Sequence, residues 1–169
     1  CSSDLFISKS GDCLVYSGTN PGDSSNWSLV GEYKIGRPLG RKGVVQADAD
    51  VIIITDRGYE SLGAVLSAGD SLQFQNLLSQ KIQNTVLDRI AYAGRTDKWS
   101  VVTFPLEQMQ IINVPRVGTD VEQHVRNINT GAWCRFKISG AQCWGRFGDG
   151  IYIGLDDGKV YQFANGAVT

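Results

Sequence analysis

The chain has 169 residues, of which 42% are hydrophobic, and its formal net charge at pH 7 is −1. A hydrophobic fraction of this size predicts a packed globular domain and excludes a chain that is disordered over most of its length. Because there is no basic excess, a protein that binds nucleic acid by overall charge alone is excluded, although a local basic patch is not. No run of about 18 apolar residues occurs, so no membrane-spanning helix is expected.

A β-hairpin pattern occurs three times along the chain. In each copy a β-rich run leads into a polar turn with Asp and Gly, and a second β-rich run follows. The copies lie at 4–16, 50–62 and 150–163. Repetition of one supersecondary unit is typical of repeat architectures. The 20 glycines, set against only 4 prolines, suit many tight turns between short strands.

Strands that begin at tryptophan lie between the hairpins. Trp27, Trp99 and Trp133 each follow a segment rich in turn-forming residues and begin a strand-like run. The recurrence of these three tryptophans and of Trp144 at strand starts favours packing between sheets over stacking on sugars. The apolar run at 51–54 predicts a strand buried on both faces. Further strands are predicted at 43–48, 109–114 and 123–129.

One segment departs from the β pattern and predicts an amphipathic helix. Over 70–91 the apolar residues recur at steps of about three to five residues, which is helix periodicity. Asp70 or Ser71 is suited to cap its start, and Gly94 lies just past its end. The expected helical insertion therefore covers 70–94. Its apolar face must pack against the sheets of its own chain or against a neighbouring subunit.

These elements predict a mainly β fold, made of β-propeller-like blades of antiparallel hairpins in a single domain over 1–169. Two or three units do not close a ring of blades, which generally takes about four to eight. We therefore expect a partial propeller or a fragment of a longer protein, with a compact sandwich of the same hairpins as the alternative. The start at Cys1, without an initiator Met or the features of a signal peptide, gives the same expectation.

The residue types that carry most enzyme chemistry do not form a recognisable motif. The single histidine, His124, lies in an alternating strand pattern without Cys or carboxylate at a metal-ligand spacing, so a surface or edge-strand position is expected. No G-x-S-x-G nucleophile motif occurs. Cys134 and Cys143 flank a predicted hairpin, so a disulfide is conceivable, but reduced thiols are favoured. We therefore expect neither an enzyme, nor a metal site, nor a cofactor.

A glycine-rich basic loop over 36–43 is the candidate contact site. It superficially suggests a phosphate-binding P-loop, but three residues instead of four separate the first two glycines, and a strand follows where a helix is required. One interpretation is a solvated turn between strands. The other is that Arg37, Arg41 and Lys42 face nucleic acid or an acidic neighbouring subunit.

The order of several segments carries a resemblance to a known family. The stretch at 36–41 reads Gly-Arg-Pro-Leu-Gly-Arg, and that at 129–136 reads Asn-Thr-Gly-Ala-Trp-Cys-Arg-Phe. Between them lies the Asp-Val-Ile-Ile-Ile-Thr-Asp-x-Gly hairpin at 50–58, and Asp-Asp-Gly-Lys-Val-Tyr follows at 156–161. Over nearly the whole chain, this order resembles the β-propeller-like region of tail, neck and nozzle proteins of tailed double-stranded DNA bacteriophages.

The resemblance implies a structural, non-enzymatic protein of the virion, located in the phage tail or neck. Such proteins assemble in rings around the DNA channel. The expected partners are therefore further copies of the chain, the portal, adaptor and tail proteins, and packaged DNA in transient contact. The family assigns no individual functional residues, and its members are usually longer than this chain.

Two functions of other classes stay open at this point. One is a carbohydrate-binding propeller for host recognition, which would use aromatic side chains such as Trp144 near Asp and Asn turns. The other is a glycosidase, which needs two carboxyl groups about 5–5.5 Å apart if it retains configuration. The sequence gives no means of pairing such carboxyl groups.

Overall fold

The computed structural model of the chain describes residues 2–47, 50–68, 77–116 and 120–163. Within these ranges the protein is mainly β and forms four small antiparallel sheets, which we call sheets A to D in chain order. Each sheet is a meander, in which strands that follow one another in sequence pair side by side. The described residues close neither a barrel nor a complete propeller.

Sheets A and B contain the first two predicted hairpins, and both hairpins are confirmed. In sheet A, β1 pairs with β2 and β2 with β3, while sheet B repeats this arrangement with β4, β5 and β6. The six strands are β1 (Ser2–Ile7), β2 (Asp12–Gly18), β3 (Trp27–Lys34), β4 (Val44–Ala47), β5 (Asp50–Thr55) and β6 (Gly58–Ser61).

Sheets C and D contain the remaining strands, including the third predicted hairpin, β12–β13. Strand β11 has no counterpart among the predicted strands, because the glycines and polar residues of this segment hide its alternation. The seven strands are β7 (Ser100–Phe104), β8 (Met109–Pro115), β9 (Val121–Asn127), β10 (Trp133–Phe136), β11 (Ala141–Phe147), β12 (Gly150–Leu155) and β13 (Val160–Phe163).

The predicted helix over 70–91 is longer than the helix that the structure contains. Helix α2 spans Gln83–Ala93, so the described part of the prediction is helical only in its second half. Its end is confirmed, because Gly94 adopts a φ of 59° and its N–H donates to the carbonyl of Ile90. None of the helices in the described ranges is long and apolar enough to cross a membrane.

The described part of the first half of the predicted helix is not α-helical. Residues 69–76, with the proposed caps Asp70 and Ser71, lie outside the described residues. The chain then forms turns and a 3-10 turn at Gln80–Ile82. The buried hydroxyl of Ser79 accepts a hydrogen bond from the N–H of Tyr59 and donates one to Oε1 of Gln83, the first residue of α2, so this turn is joined both to sheet B and to the helix.

A second helix, α1, spans Leu62–Ala68 and begins at the last residue of the second predicted hairpin, where the sequence predicted no helix. The hydroxyl of Ser61 accepts a hydrogen bond from the N–H of Ala64, which is a helix N-cap contact. The carboxylate of Asp50 accepts another from the N–H of Gly63. The helix start thus depends on a residue from β5, a contact that local sequence does not reveal.

The four sheets pack face against face in chain order, with apolar side chains in each gap. Between sheets A and B the core contains Cys13 and Ile53, and between sheets B and C it contains Ile54 and Ile112. Sheets C and D enclose Ile111 and, in a second cluster, other residues of β9, β11 and β12. Successive residues of β5 therefore serve two different cores, which confirms the prediction of a strand buried on both faces.

The tryptophans pack as predicted at three of four positions. Trp99 is fully buried and its indole N–H donates to the carbonyl of Gly94 at 2.9 Å. Trp133 packs against the core between sheets B and C, and Trp144 against the clusters between sheets C and D. Trp27 differs, because it stacks on Tyr16 within sheet A.

The cysteines are reduced wherever the structure describes them. Cys13 is buried in the core between sheets A and B, whereas Cys134 and Cys143 are exposed free thiols. The interpretation of Cys13 as a small apolar residue is confirmed, and the conceivable disulfide between the other two is absent from the described chain.

Two glycines with positive φ should respond differently to alanine substitution. Gly11 and Gly158 have φ of 89° and 78°, so either alanine costs about 1–2 kcal/mol of folding free energy in backbone strain. A Cβ at Gly11 would in addition overlap the carbonyl oxygen of Ile35, whereas one at Gly158 would meet no described atom within 4 Å. Urea unfolding should show Gly11→Ala to be the more destabilising by at least about 1 kcal/mol. Equal losses would contradict the packing of this turn.

Candidate functional site

A cleft of about 450 Å³ lies where three segments of the chain meet. The β1–β2 turn of sheet A forms one side, and the basic loop and the segment at 95–97 form the others. Apolar and charged side chains both line it. The apolar ones are Ile7, Pro38, Leu39 and Val44, and the charged ones are Lys9, Arg41, Arg95 and Asp97.

The charges of the cleft do not balance. Lys9, Arg41 and Arg95 contribute three positive charges, and Asp97 contributes one negative charge. No ion pair joins any of these cations to an acidic side chain in the part of the chain that the structure describes. The cleft therefore has a local positive excess in a chain whose net charge is −1, and it suits an anionic group.

The basic loop is fixed in place between sheet B and the segment that precedes β7. The N–H of Leu39 donates to the carbonyl of Ile54 at 3.1 Å, and the N–H of Thr96 donates to the carbonyl of Leu39 at 3.0 Å. At Gly40 the two segments approach so closely that a Cβ would lie 2.6 Å from the carbonyl oxygen of Thr96. The loop is thus a packed connection that holds Arg41 at the cleft.

Of the three cations predicted from the loop, only Arg41 lines the cleft. Arg37 is paired with Asp56, whose Oδ2 accepts from the guanidinium Nε at 2.8 Å. Partial burial acts to raise the pKa of Asp56, but the hydrogen bonds from Arg37 hold it below its ordinary value. The main chain of Lys42 forms a parallel bridge with Ser100 that joins sheets B and C.

Sequence reasoning missed the other two cations of the cleft. Lys9 lies in the β1–β2 turn and Arg95 follows α2, so both are far from the basic loop in the sequence. Only the stacking of the sheets brings them to Arg41. No local motif contains this information.

His124 corrects a second expectation. It is buried, and it lies on β9, which has β8 and β10 on its two sides, so it is neither a surface nor an edge-strand residue. Its Nδ1 lies 2.8 Å from the hydroxyl of Tyr59, and its Nε2 lies 3.4 Å from Oε1 of Glu122. Glu122 and His124 are two residues apart on one strand and share a face, a spacing that could have indicated the pair from sequence.

Glu122 is the centre of a buried ionic network. Its carboxylate is fully buried, and it lies 2.7 Å from Nε of Arg89, 3.4 Å from Nη1 of Arg116 and 3.9 Å from Nη1 of Arg135. Burial acts to raise the pKa of Glu122, but the hydrogen bond and charge of Arg89, with the charge of Arg116, hold it below its ordinary value. The carboxylate is therefore ionised at neutral pH.

The pKa shifts of His124 and Tyr59 determine the protonation states of these two residues. Burial lowers the pKa of His124, although Glu122 partly opposes this, and burial together with the Glu122 charge raises the pKa of Tyr59. At neutral pH the imidazole is neutral and the phenol is protonated. Because the carboxylate only accepts, Nε2 carries the proton toward Glu122 and Nδ1 accepts from Tyr59. The network joins sheet B, α2 and sheet C.

This arrangement is better suited to structure than to chemistry. A hollow of about 270 Å³ lies beside His124, lined also by Thr85, Trp133 and Cys134. Both imidazole nitrogens are engaged, so neither is free to act as a general base toward a molecule in the hollow. No group of three His, Cys, Asp or Glu side chains that could hold a metal ion occurs within the described ranges.

We compared the sequence with protein-family models and with curated proteins, and neither comparison found a match.

The single histidine should make folding stability pH-dependent in a defined window. Its folded pKa lies below the value of about 6.5 expected for an unfolded chain, so between these values the unfolded chain binds more protons. The contribution is fully present above pH ~6.5 and is lost as the pH falls toward the folded pKa. Urea unfolding from pH 8 to pH 5 should show this loss, and His124→Gln should reduce it.

Comparing the unsubstituted protein with His124→Gln isolates the contribution of the imidazole to the pH dependence of stability. Burial raises the pKa of Glu60, which favours folding at acidic pH, but this contribution is present in both proteins and cancels in their difference. The chain has one histidine, so its proton resonance can also be titrated directly by NMR. A folded-state pKa at or above ~6.5, or identical pH profiles for the two proteins, would contradict the assigned network.

Proposed function

We propose that the chain is a non-enzymatic structural subunit of the tail, neck or nozzle of a tailed double-stranded DNA bacteriophage. In this proposal sheets A to D are successive blades of a β-propeller-like array. The observation that carries the proposal is the face-to-face stacking of four antiparallel meanders in chain order. Radial repetition of such meanders is the construction principle of propellers.

The contacts between first strands support the same proposal. Strand β7 of sheet C lies beside β4 of sheet B and beside β11 of sheet D. The first strands of three consecutive sheets thus come together, as blades do when they are arranged around an axis. The order of the resembling segments along the chain supports the assignment to a phage virion.

The basic cleft gives the proposed subunit a contact for DNA. Lys9, Arg41 and Arg95 can neutralise phosphates locally, and such contacts weaken steeply as salt concentration rises. Because the whole chain carries no positive excess, this contact is limited to the cleft and suits DNA that passes by and is not retained. The engaged nitrogens of His124 support the non-enzymatic part of the proposal.

A carbohydrate-binding propeller is the second candidate, and one observation favours it. Phe6, Tyr16 and Trp27 form an aromatic row, with ring centroids 5.6 Å apart at both contacts. Trp144 is a poorer candidate, because it packs between sheets C and D and its indole N–H lies 3.3 Å from Oδ1 of Asn113. Glycan binding that is lost on Trp27→Ala would support this candidate over the structural one.

Removing two cations of the cleft should weaken DNA binding and its salt dependence. For Arg41→Ala/Arg95→Ala, the slope of log K against log salt should fall by about one unit for each cation that contacts a phosphate. Fluorescence anisotropy with a short double-stranded DNA measures both quantities. The matched control is Lys137→Ala/Lys159→Ala, which removes the same charge from exposed positions outside the cleft. Equal losses in the two variants would contradict the cleft as the DNA contact.

The proposed subunit should assemble into closed rings. Electron microscopy and native mass spectrometry of the purified chain should show annular particles with one defined number of copies. A monodisperse monomer that binds neither portal nor tail proteins would overturn the proposed function.

A further inference from the structure

The outer face of sheet A presents large apolar side chains to solvent. Ile7 packs toward sheet B, so Phe6, its neighbour on β1, faces away and is 54% exposed. Its ring contacts Tyr16, which stacks on Trp27. Leu29 pairs with Tyr16 in the strand register and is 49% exposed. This row is the kind of apolar surface that marks an interaction site.

The outer face of sheet D combines exposed apolar side chains with glycines. Trp144 and Ile153 pair across the strands and pack toward sheet C, so the alternate residues face away. Phe147 and Val160 on this outer face are 79% and 71% exposed. Each large side chain here stands opposite a glycine, in the pairs Gly145–Tyr152, Phe147–Gly150 and Gly154–Val160.

We propose that the outer face of sheet A in one copy of the chain docks on the outer face of sheet D in the next copy. Such a contact continues between molecules the sheet-on-sheet packing that already joins A to B, B to C and C to D within the chain. The occupant of each face is thus another sheet face with apolar side chains.

The two faces also differ in a complementary way. Sheet A presents a row of aromatic side chains, whereas on sheet D a Cβ at Gly145 would meet no described atom within 4 Å, which leaves open space opposite Tyr152. The space above Gly150 and Gly154 is filled by Tyr152 and Cys143. A contact between two different faces is heterologous, so it repeats around a ring or along a filament. The inference rests on the proposed function, because it names the faces through which the proposed ring would close.

Two double variants test the pairing. The A-face variant is Phe6→Lys/Leu29→Lys, and the D-face variant is Phe147→Lys/Val160→Lys. The matched control is Tyr92→Lys/Leu106→Lys, which places the same charge at exposed apolar positions on α2 and in the β7–β8 connection. All six positions are exposed, so the variants should fold, and urea unfolding checks this.

Sedimentation velocity should show that each face variant alone is monomeric at concentrations at which the unsubstituted chain and the control assemble. An equimolar mixture of the two face variants should form a 1:1 dimer and nothing larger, because each supplies one intact face. A face variant that still pairs with itself would show a symmetric contact and overturn the inference. A monomeric unsubstituted chain would overturn it as well.

The assemblies formed by the face variants distinguish a failure of the face assignment from a failure of the proposed ring. Annular particles that persist in both face variants would overturn the assignment of the faces and leave the ring intact. Open filaments that require both faces would support the assignment and contradict ring closure.

Discussion

The structure depends on one constraint, which is that the inner sheets B and C must present apolar side chains on both faces. In β5, Ile53 packs toward sheet A and Ile54 toward sheet C, and in β8 Ile111 packs toward sheet D and Ile112 toward sheet B. The polar residues that β8 also buries, Gln110 and Asn113, are hydrogen-bonded to Arg126 and to the carbonyl of Ala141, because a buried polar group without a partner would be costly. The two strands therefore set the order and the spacing of all four sheets.

Within this apolar stack, the gap between sheets B and C contains the ionic network of Glu122. Burying a carboxylate is costly unless charged partners and hydrogen bonds replace its water, and here Arg89 makes the shortest contact while His124 relays to Tyr59. The partners come from sheet B, α2 and sheet C. Because such a network is satisfied in only one arrangement, it specifies how α2 and the two sheets are placed.

The basic cleft is a consequence of the same stacking. The loop that connects sheet A to sheet B must pass beside the segment that enters sheet C, and Gly40 permits this approach. Three cations from distant parts of the sequence thereby line one cleft, while Arg37 is neutralised by Asp56. The stack also leaves an apolar outer face at each end, on sheets A and D. Both features connect the fold to the assembly that we propose.

By itself, the sequence determined the local elements. The three hairpins, the strands that begin near tryptophan and the glycine end of α2 followed from periodicity and turn chemistry, which act over a few residues. Only the tertiary structure decided what distant residues do together. The carboxylate of Asp50, on β5, accepts a hydrogen bond from the first turn of α1. Lys9 and Arg95 line the same cleft as Arg41. His124 is buried in the network that Glu122 forms with Arg89 and that continues to Tyr59. The physical reason is that burial, charge balance and pKa depend on which surfaces meet, and no window of sequence contains both surfaces.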